Sequence, residues 1–301
     1  MNKRQAKAFT LVELVVVISV IALLMAILMP ALTGARAGSR ALACKSNLRQ
    51  LLIASIGYAT ENDGFYVPAA SDIWDNAGLY RWHGRRDTLD EPFDPLRGPL
   101  AGYLADGRVK ECPAKVDFVT GLEWSANFEQ GCGGYGYNMT YIGSRIWKNG
   151  VHSMQTWKDT YALTTRMTEI AAPGQTLMFA DTAMARPQAR GTTDEGRRTS
   201  IIEYSFAEPP FTVFNSRPVT EFYMSPSIHF RHGNRVGPPS ASRANVGWAD
   251  GHIEPRQMAP GTRDDGRGTT DEGRTNAYGV DSAEMKLGWF DPVDNSPYDL
   301  K

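Results

Sequence analysis

At 301 residues, with 42% hydrophobic side chains, the chain is long enough to bury one sizeable core. A formal charge of −1 carries no basic excess, which excludes the electrostatic footprint of a nucleic-acid binder. With 29 glycines and 18 prolines the fold should be rich in loops and short strands, and the three cysteines are few.

The first eight residues are basic, with Lys3, Arg4 and Lys7 and no acid; without them the charge falls to −4. Ala8-Phe9-Thr10-Leu11-Val12-Glu13 then leads into an apolar run that ends at Met29. As a helix rising about 1.5 Å per residue, the stretch from Phe9 to Leu32 reaches across a hydrocarbon core of roughly 30 Å. Glu13 is the one carboxylate in it. An ionised group in lipid costs about 3 kcal/mol or more, so by default it has a partner and a function. Were the basic segment removed, the new α-amino group of Phe9 would stand about one helical turn from Glu13. Among parallel helices, Glu13 of one subunit would pair with the Phe9 amine of the next.

These residues resemble the N-termini of type IV prepilins and type II secretion pseudopilins. The resemblance implies cleavage by a prepilin peptidase between Ala8 and Phe9, N-methylation of Phe9, and an assembly role for Glu13, the fifth residue counted from Phe9. Pro30 falls where pilins commonly carry a helix-kinking proline. The departure is Ala8, where those families have Gly. Two other export readings compete: a signal-peptidase site at Ala35-Arg36-Ala37, and a lipoprotein site ending at Cys44. Cations flank the apolar run on both sides, so orientation rests on the resemblance, which puts the leader in the cytoplasm.

Beyond Pro30, Ala41, Cys44, Leu48, Leu51, Ser55 and Tyr58 recur at steps of three and four, while Arg36, Arg40, Lys45 and Arg49 lie elsewhere. This predicts an amphipathic continuation of the helix, stopped by Asn62-Asp63-Gly64. The segments are therefore 1–8 (leader), 9–62 (transmembrane and amphipathic helix) and 63–301 (an extracytoplasmic domain). Thr176–Thr182 reads as a buried strand, Ser227–His232 as a half-buried one, and Asn245–Glu254 as strands around a two-residue Asp250-Gly251 hairpin turn.

A second resemblance is carried by His232, Asp250, Gly251 and His252. They are similar to the His…Asp-Gly C-terminal motif of planctomycete-type prepilin-like proteins, along with Cys44–Gln50, Asn62–Pro68, Cys112-Pro113 and Tyr135–Asn138. Seventeen residues separate His232 from Asp250 where that family commonly has nine, and the excess, Val236–Arg243, reads as a loop insertion. The resemblance implies export and assembly rather than a known reaction.

His232, Asp250 and His252, with Asp181, offer ligands that suit zinc, but no local pair fixes them together and Asp in a turn commonly bonds its own backbone. Asp264, Asp265, Asp271 and Glu272 offer oxygen ligands for calcium; a solvated loop is the plainer reading. The octapeptide Arg-Gly-Thr-Thr-Asp-Glu-Gly-Arg occurs twice, at 190–197 and 267–274. Outside the cytoplasm Cys112 and Cys132 are candidates for a disulfide, leaving Cys44 as a small packed residue.

The resulting expectation is an α+β, pilin-like fold: a long N-terminal helix packed on an antiparallel sheet domain with large loops. The function expected is that of a structural subunit without enzymatic activity or cofactor. It would be single-pass in the inner membrane with its globular domain periplasmic or extracellular, joining a type IV pilus or a type II secretion pseudopilus. Its partners would be prepilin peptidase, other pilin or pseudopilin subunits, the inner-membrane assembly platform and membrane lipid, with no nucleic acid. The rivals are a membrane-tethered, metal-dependent exported enzyme and a surface adhesion module.

Overall fold

The computed structural model describes residues 10–73, 78–114, 116, 118, 129–149, 154–187, 199–214, 217–222, 226–233, 242–259, 285–290 and 296–300. It forms two units, Met1–Arg40 and Ala41–Lys301. One helix, α1 (Leu11–Glu61, 51 residues), contributes residues to each.

In the first unit every side chain of α1 from Leu11 to Ser39 is exposed. Among the described residues α1 is the one helix long and apolar enough to cross a membrane. The hydroxyls of Ser19, Thr33 and Ser39 donate to the Val16, Met29 and Ala35 carbonyls at 2.8, 2.9 and 3.0 Å, so each polar group is satisfied within the helix, as hydrocarbon requires. The helix continues through Pro30, which has no N–H to donate.

In the second unit α1 becomes one-sided. Cys44, Leu48, Leu51, Leu52, Ser55 and Ala59 are buried, whereas Arg49 and Ile53 are exposed. The helix stops where Asp63 (φ 53°) and Gly64 (φ 81°) turn left-handed and Gly64 N–H bonds back to the Ala59 carbonyl at 2.8 Å.

The strands in chain order are β1 (Tyr80–Arg81), β2 (Gly84–Arg85), β3 (Tyr135–Tyr137), β4 (Leu177–Asp181), β5 (Met184–Pro187), β6 (Thr199–Ile202), β7 (Phe211–Phe214), β8 (Arg217–Phe222), β9 (Ile228–His229), β10 (Arg243–Trp248), β11 (Ile253–Gln257) and β12 (Leu287–Gly288). The central sheet has the order β11-β10-β4-β3, all antiparallel, and β1–β2, β5–β6, β7–β8 and β9–β12 form two-stranded ribbons. The layout is α+β and pilin-like in element order. All five residues of β4 are buried, which removes the alternation of a one-faced strand. Helix and sheet meet closely: a Cβ on Gly247 of β10 would approach Leu52 Cδ1 to 2.9 Å. Trp82 packs on Phe179 and Tyr137 and donates its indole N–H to the Ser205 carbonyl at 2.7 Å. Beside it Arg81 and Glu129 form a buried ion pair at 2.9 Å.

Two strand expectations change. Residues 226–230 are wholly buried rather than half-buried, because β9 is covered by its pairing with β12 and its bridge to Thr182. The β10–β11 hairpin has a three-residue loop rather than an Asp-Gly two-residue turn: Trp248 pairs with His252, its N–H donating to the His252 carbonyl at 3.0 Å, and Gly251 (φ 91°) takes the left-handed position that ends such a loop.

Candidate functional site

The His…Asp-Gly motif is divided by the fold. At the hairpin, the Asp250 carboxylate accepts the His252 N–H at 3.0 Å and lies 2.6 Å from His252 Nδ1. The His252 ring stacks on Trp248, and Arg49 of α1 donates to the Gly251 carbonyl at 3.2 Å. Burial works against the Asp250 carboxylate, yet the His252 N–H and ring hold it below the usual carboxylate range. These contacts describe a braced turn. His232 instead exchanges backbone hydrogen bonds with Arg243, at 2.9 and 2.6 Å, at the opposite end of β10. Arg243 and Trp248 stand roughly 17 Å apart at about 3.3 Å per residue. The grouping of His232 with Asp250 and His252 as metal ligands is therefore corrected, and the exported-enzyme reading loses its site.

What surrounds His232 is a different set. Its Nε2 lies 3.1 Å from Asp181 Oδ2 and 3.6 Å from Cys112 Sγ, and the Cys44 thiol donates to Asp181 Oδ1 at 3.2 Å. The four ligand atoms of Cys44, Cys112, Asp181 and His232 lie within 4.8 Å of one another. Cys44 comes from the buried face of α1, Asp181 ends β4, and His232 follows β9; Cys112 stands in the loop before β3, its N–H bonded to the Gly133 carbonyl at 2.9 Å. Asn47, one turn after Cys44, donates to the Glu111 carbonyl at 3.1 Å and to the Tyr135 hydroxyl at 3.2 Å, tying the Cys112 loop to α1. The Asn245 N–H orients Asp181 at 2.7 Å.

The electrostatics follow from burial and pairing. Burial disfavours the Asp181 carboxylate, but Arg231, His232 and the Asn245 N–H outweigh it and hold its pKa at about 2. Burial also opposes a charged His232, but Asp181 raises it to about 9. Desolvation pushes the Cys44 thiol well up, and the neighbouring Cys44 thiol brings Cys112 down to about 5. The set is not a nucleophile relay. In a Cys-His-Asp triad the carboxylate holds one ring nitrogen and the thiol meets the other, whereas here both face Nε2.

The expected Cys112–Cys132 disulfide is not formed; all three cysteines are free. The Cys112 sulfur faces Cys44 and His232, and Cys132 is fully buried. Full burial of Cys44 within a continuous helix also disfavours the lipoprotein reading. The acids 264, 265, 271 and 272 suggested for calcium, and both copies of the octapeptide, lie outside the described residues.

At the other end of the chain, Thr10 and Glu13 form a reciprocal cap. Glu13 Oε2 accepts the Thr10 N–H at 2.9 Å and its hydroxyl at 2.8 Å, and the Glu13 N–H bonds Thr10 Oγ1 at 3.2 Å. Within one chain the carboxylate is thus held against the positive helix N-terminus, beside Leu11 and Val12, which are 78% and 69% exposed. Residues 3–29 match the prokaryotic N-terminal methylation motif. The methylation motif covers Ala8, Phe9 and Glu13 and ends one residue before Pro30. It marks the chain as prepilin-like, with an N-terminal helix fit to anchor it in a membrane. No curated protein and no solved structure matches the chain.

Sequence reading placed Asp181 near His232 but missed the two cysteines. Their partners are 137 and 120 positions away, and no local spacing of the kind that marks metal sites joins them. The local signals were Cys44, a cysteine on the apolar face of an amphipathic helix, and the Cys112-Pro113 pair, and nothing in the sequence joined one to the other.

Proposed function

We propose that the chain is a prepilin-like structural subunit, cut between Ala8 and Phe9 by a prepilin peptidase, N-methylated at Phe9, and assembled through its N-terminal helix into a type IV pilus or a type II secretion pseudopilus. The observation that carries this reading is the methylation motif on a helix whose apolar side chains from Leu11 to Leu32 are all exposed. Such a surface is stable only when lipid or other helices cover it. Before assembly the bilayer covers it, with the domain on the periplasmic side. In an assembly, neighbouring helices do, and Glu13 exchanges its own cap for the Phe9 amine of the next subunit, while the inner-membrane platform supplies the subunits.

The test is co-expression with and without a prepilin peptidase. The chain should lose residues 1–8 only when the peptidase is present, and an Ala8→Glu variant should stay uncut. Cleavage independent of the peptidase, or cleavage after Ala37, would refute the reading.

A further inference from the structure

Four ligand-type side chains drawn from distant parts of the chain converge on one point inside the second unit, and the proposed assembly role does not use them. We propose that Cys44, Cys112, Asp181 and His232 bind one zinc ion as a closed structural site that fastens α1 to the sheet.

The distances support a common centre. Around a tetrahedral zinc with bonds of about 2.3 Å to sulfur and about 2.0–2.1 Å to nitrogen and oxygen, neighbouring ligand atoms stand about 3.3–3.8 Å apart. The measured edges are 3.1 Å (His232 to Asp181), 3.2 Å (Cys44 to Asp181) and 3.6 Å (Cys112 to His232), and no pair exceeds 4.8 Å. One imidazole nitrogen facing both a thiol and a carboxylate is wrong for a catalytic relay and right for ligands around an ion.

The donor set selects the metal. Two sulfurs and an imidazole with a single carboxylate suit zinc, whereas calcium and magnesium take oxygen ligands. Four protein ligands leave no open position, and Cys44, Asp181 and His232 are buried, so the site is structural rather than catalytic. Zinc takes Cys44 and Cys112 as thiolates and His232 as a neutral imidazole, so any proton these three groups carry leaves on binding. Two thiolates, one carboxylate and the dication sum to a single negative charge, and Arg231 supplies the balancing cation. Its Nε lies 3.7 Å from Asp181 Oδ1, its side chain is 2% exposed, and its Nη2 is anchored by the Gly134 and Thr182 carbonyls. Such outer-shell support is what metal sites carry. Cys112 also lines a cleft of about 540 Å³ with Phe93, Glu111, Gly131 and Glu203, which gives an ion a way in.

The competing use of the same residues is a Cys44–Cys112 disulfide. It would engage only two of the four groups and leave Asp181 and His232 as a buried ion pair.

The experiment takes the full chain in detergent, reduced and freed of metal, and adds zinc or cobalt. One zinc per chain should survive gel filtration, and it should shield Cys44 and Cys112, but not depend on Cys132, in thiol-alkylation mapping. Cobalt should give the visible bands of a tetrahedral site together with thiolate-to-cobalt charge transfer. Cys112→Ser and Asp181→Asn should weaken zinc by more than the roughly 10–100-fold of an outer-shell change, with Cys132→Ala as the unaffected control. The wild-type cobalt spectrum needs no variant to fold. Failure of the reduced wild type to retain zinc, a cobalt spectrum without thiolate character, undiminished binding in Cys112→Ser, or a native Cys44–Cys112 disulfide would each overturn the proposal. Prepilin processing would be untouched by any of these results.

Discussion

Glu13 has two separable jobs, and one substitution distinguishes them. In the single chain its carboxylate caps the helix through Thr10, at 2.8 and 2.9 Å; in an assembly it would meet the Phe9 amine of a neighbour. Glu13→Gln retains the cap, since Gln serves at this position of a capping box, but removes the charge. Loss of a cap costs about 1 kcal/mol, which affects only the first turn of a helix otherwise held by its length. Removing one partner of a desolvated ion pair costs about 3–5 kcal/mol, and about 1.4 kcal/mol is tenfold. Glu13→Gln should therefore leave processing and membrane insertion near wild type while lowering incorporation by a hundredfold or more. Glu13→Ala should do the same with slight additional fraying. The assay expresses each variant beside the wild type and compares the sheared extracellular fraction with the membrane pool. If Glu13→Gln assembles like the wild type while Glu13→Ala does not, the cap alone matters and the charge-pairing argument is refuted.

Two further predictions concern the domain. Gly247→Val would drive a side chain into the fully buried Leu52, whose Cδ1 already lies 2.9 Å from where a Cβ would stand, and should cost about 1–3 kcal/mol; an unchanged denaturation midpoint would show that α1 does not pack there. Glu208 is buried, and desolvation raises its pKa to about 7 even though the Tyr204 hydroxyl donates to it. The folded chain therefore binds a proton more tightly than the unfolded one, so its stability should fall as pH rises from about 4.5 to 7 by about 3 kcal/mol and then level off. Glu208→Gln should remove that slope, being neutral near pH 4 and stabilising at pH 8, and parallel pH profiles for the two proteins would refute the argument.

What was legible in the chain was what is written locally. The steps from Cys44 to Leu51 and Ser55 foretold the buried face of α1, Asn62-Asp63-Gly64 its stop, and Thr176–Thr182 and Asn245–Glu254 the three strands β4, β10 and β11 of the central sheet. The hairpin loop was misjudged by one residue because Ala249 carries no turn signal. The ribbon β5–β6 went unread because its strands are four residues each, too short for a period to emerge. The metal-type cluster was hidden for a different reason. Asp250 and His252 lie close to His232 in sequence, yet β10 carries them to the far end of the sheet, while antiparallel pairing and helix packing bring Cys44, Cys112 and Asp181 from far away. Proximity in sequence was the misleading cue.

The most direct test of the central claim is the intact mass and N-terminal fragmentation of the protein recovered from sheared surface material and from membranes of its native cells. The account predicts a chain that begins at Phe9, carries one added methyl group on its α-amine, and is present in the sheared fraction. A chain that begins at Met1 or after Ala37, or one confined to the membrane fraction in cells that are assembling filaments, would contradict it.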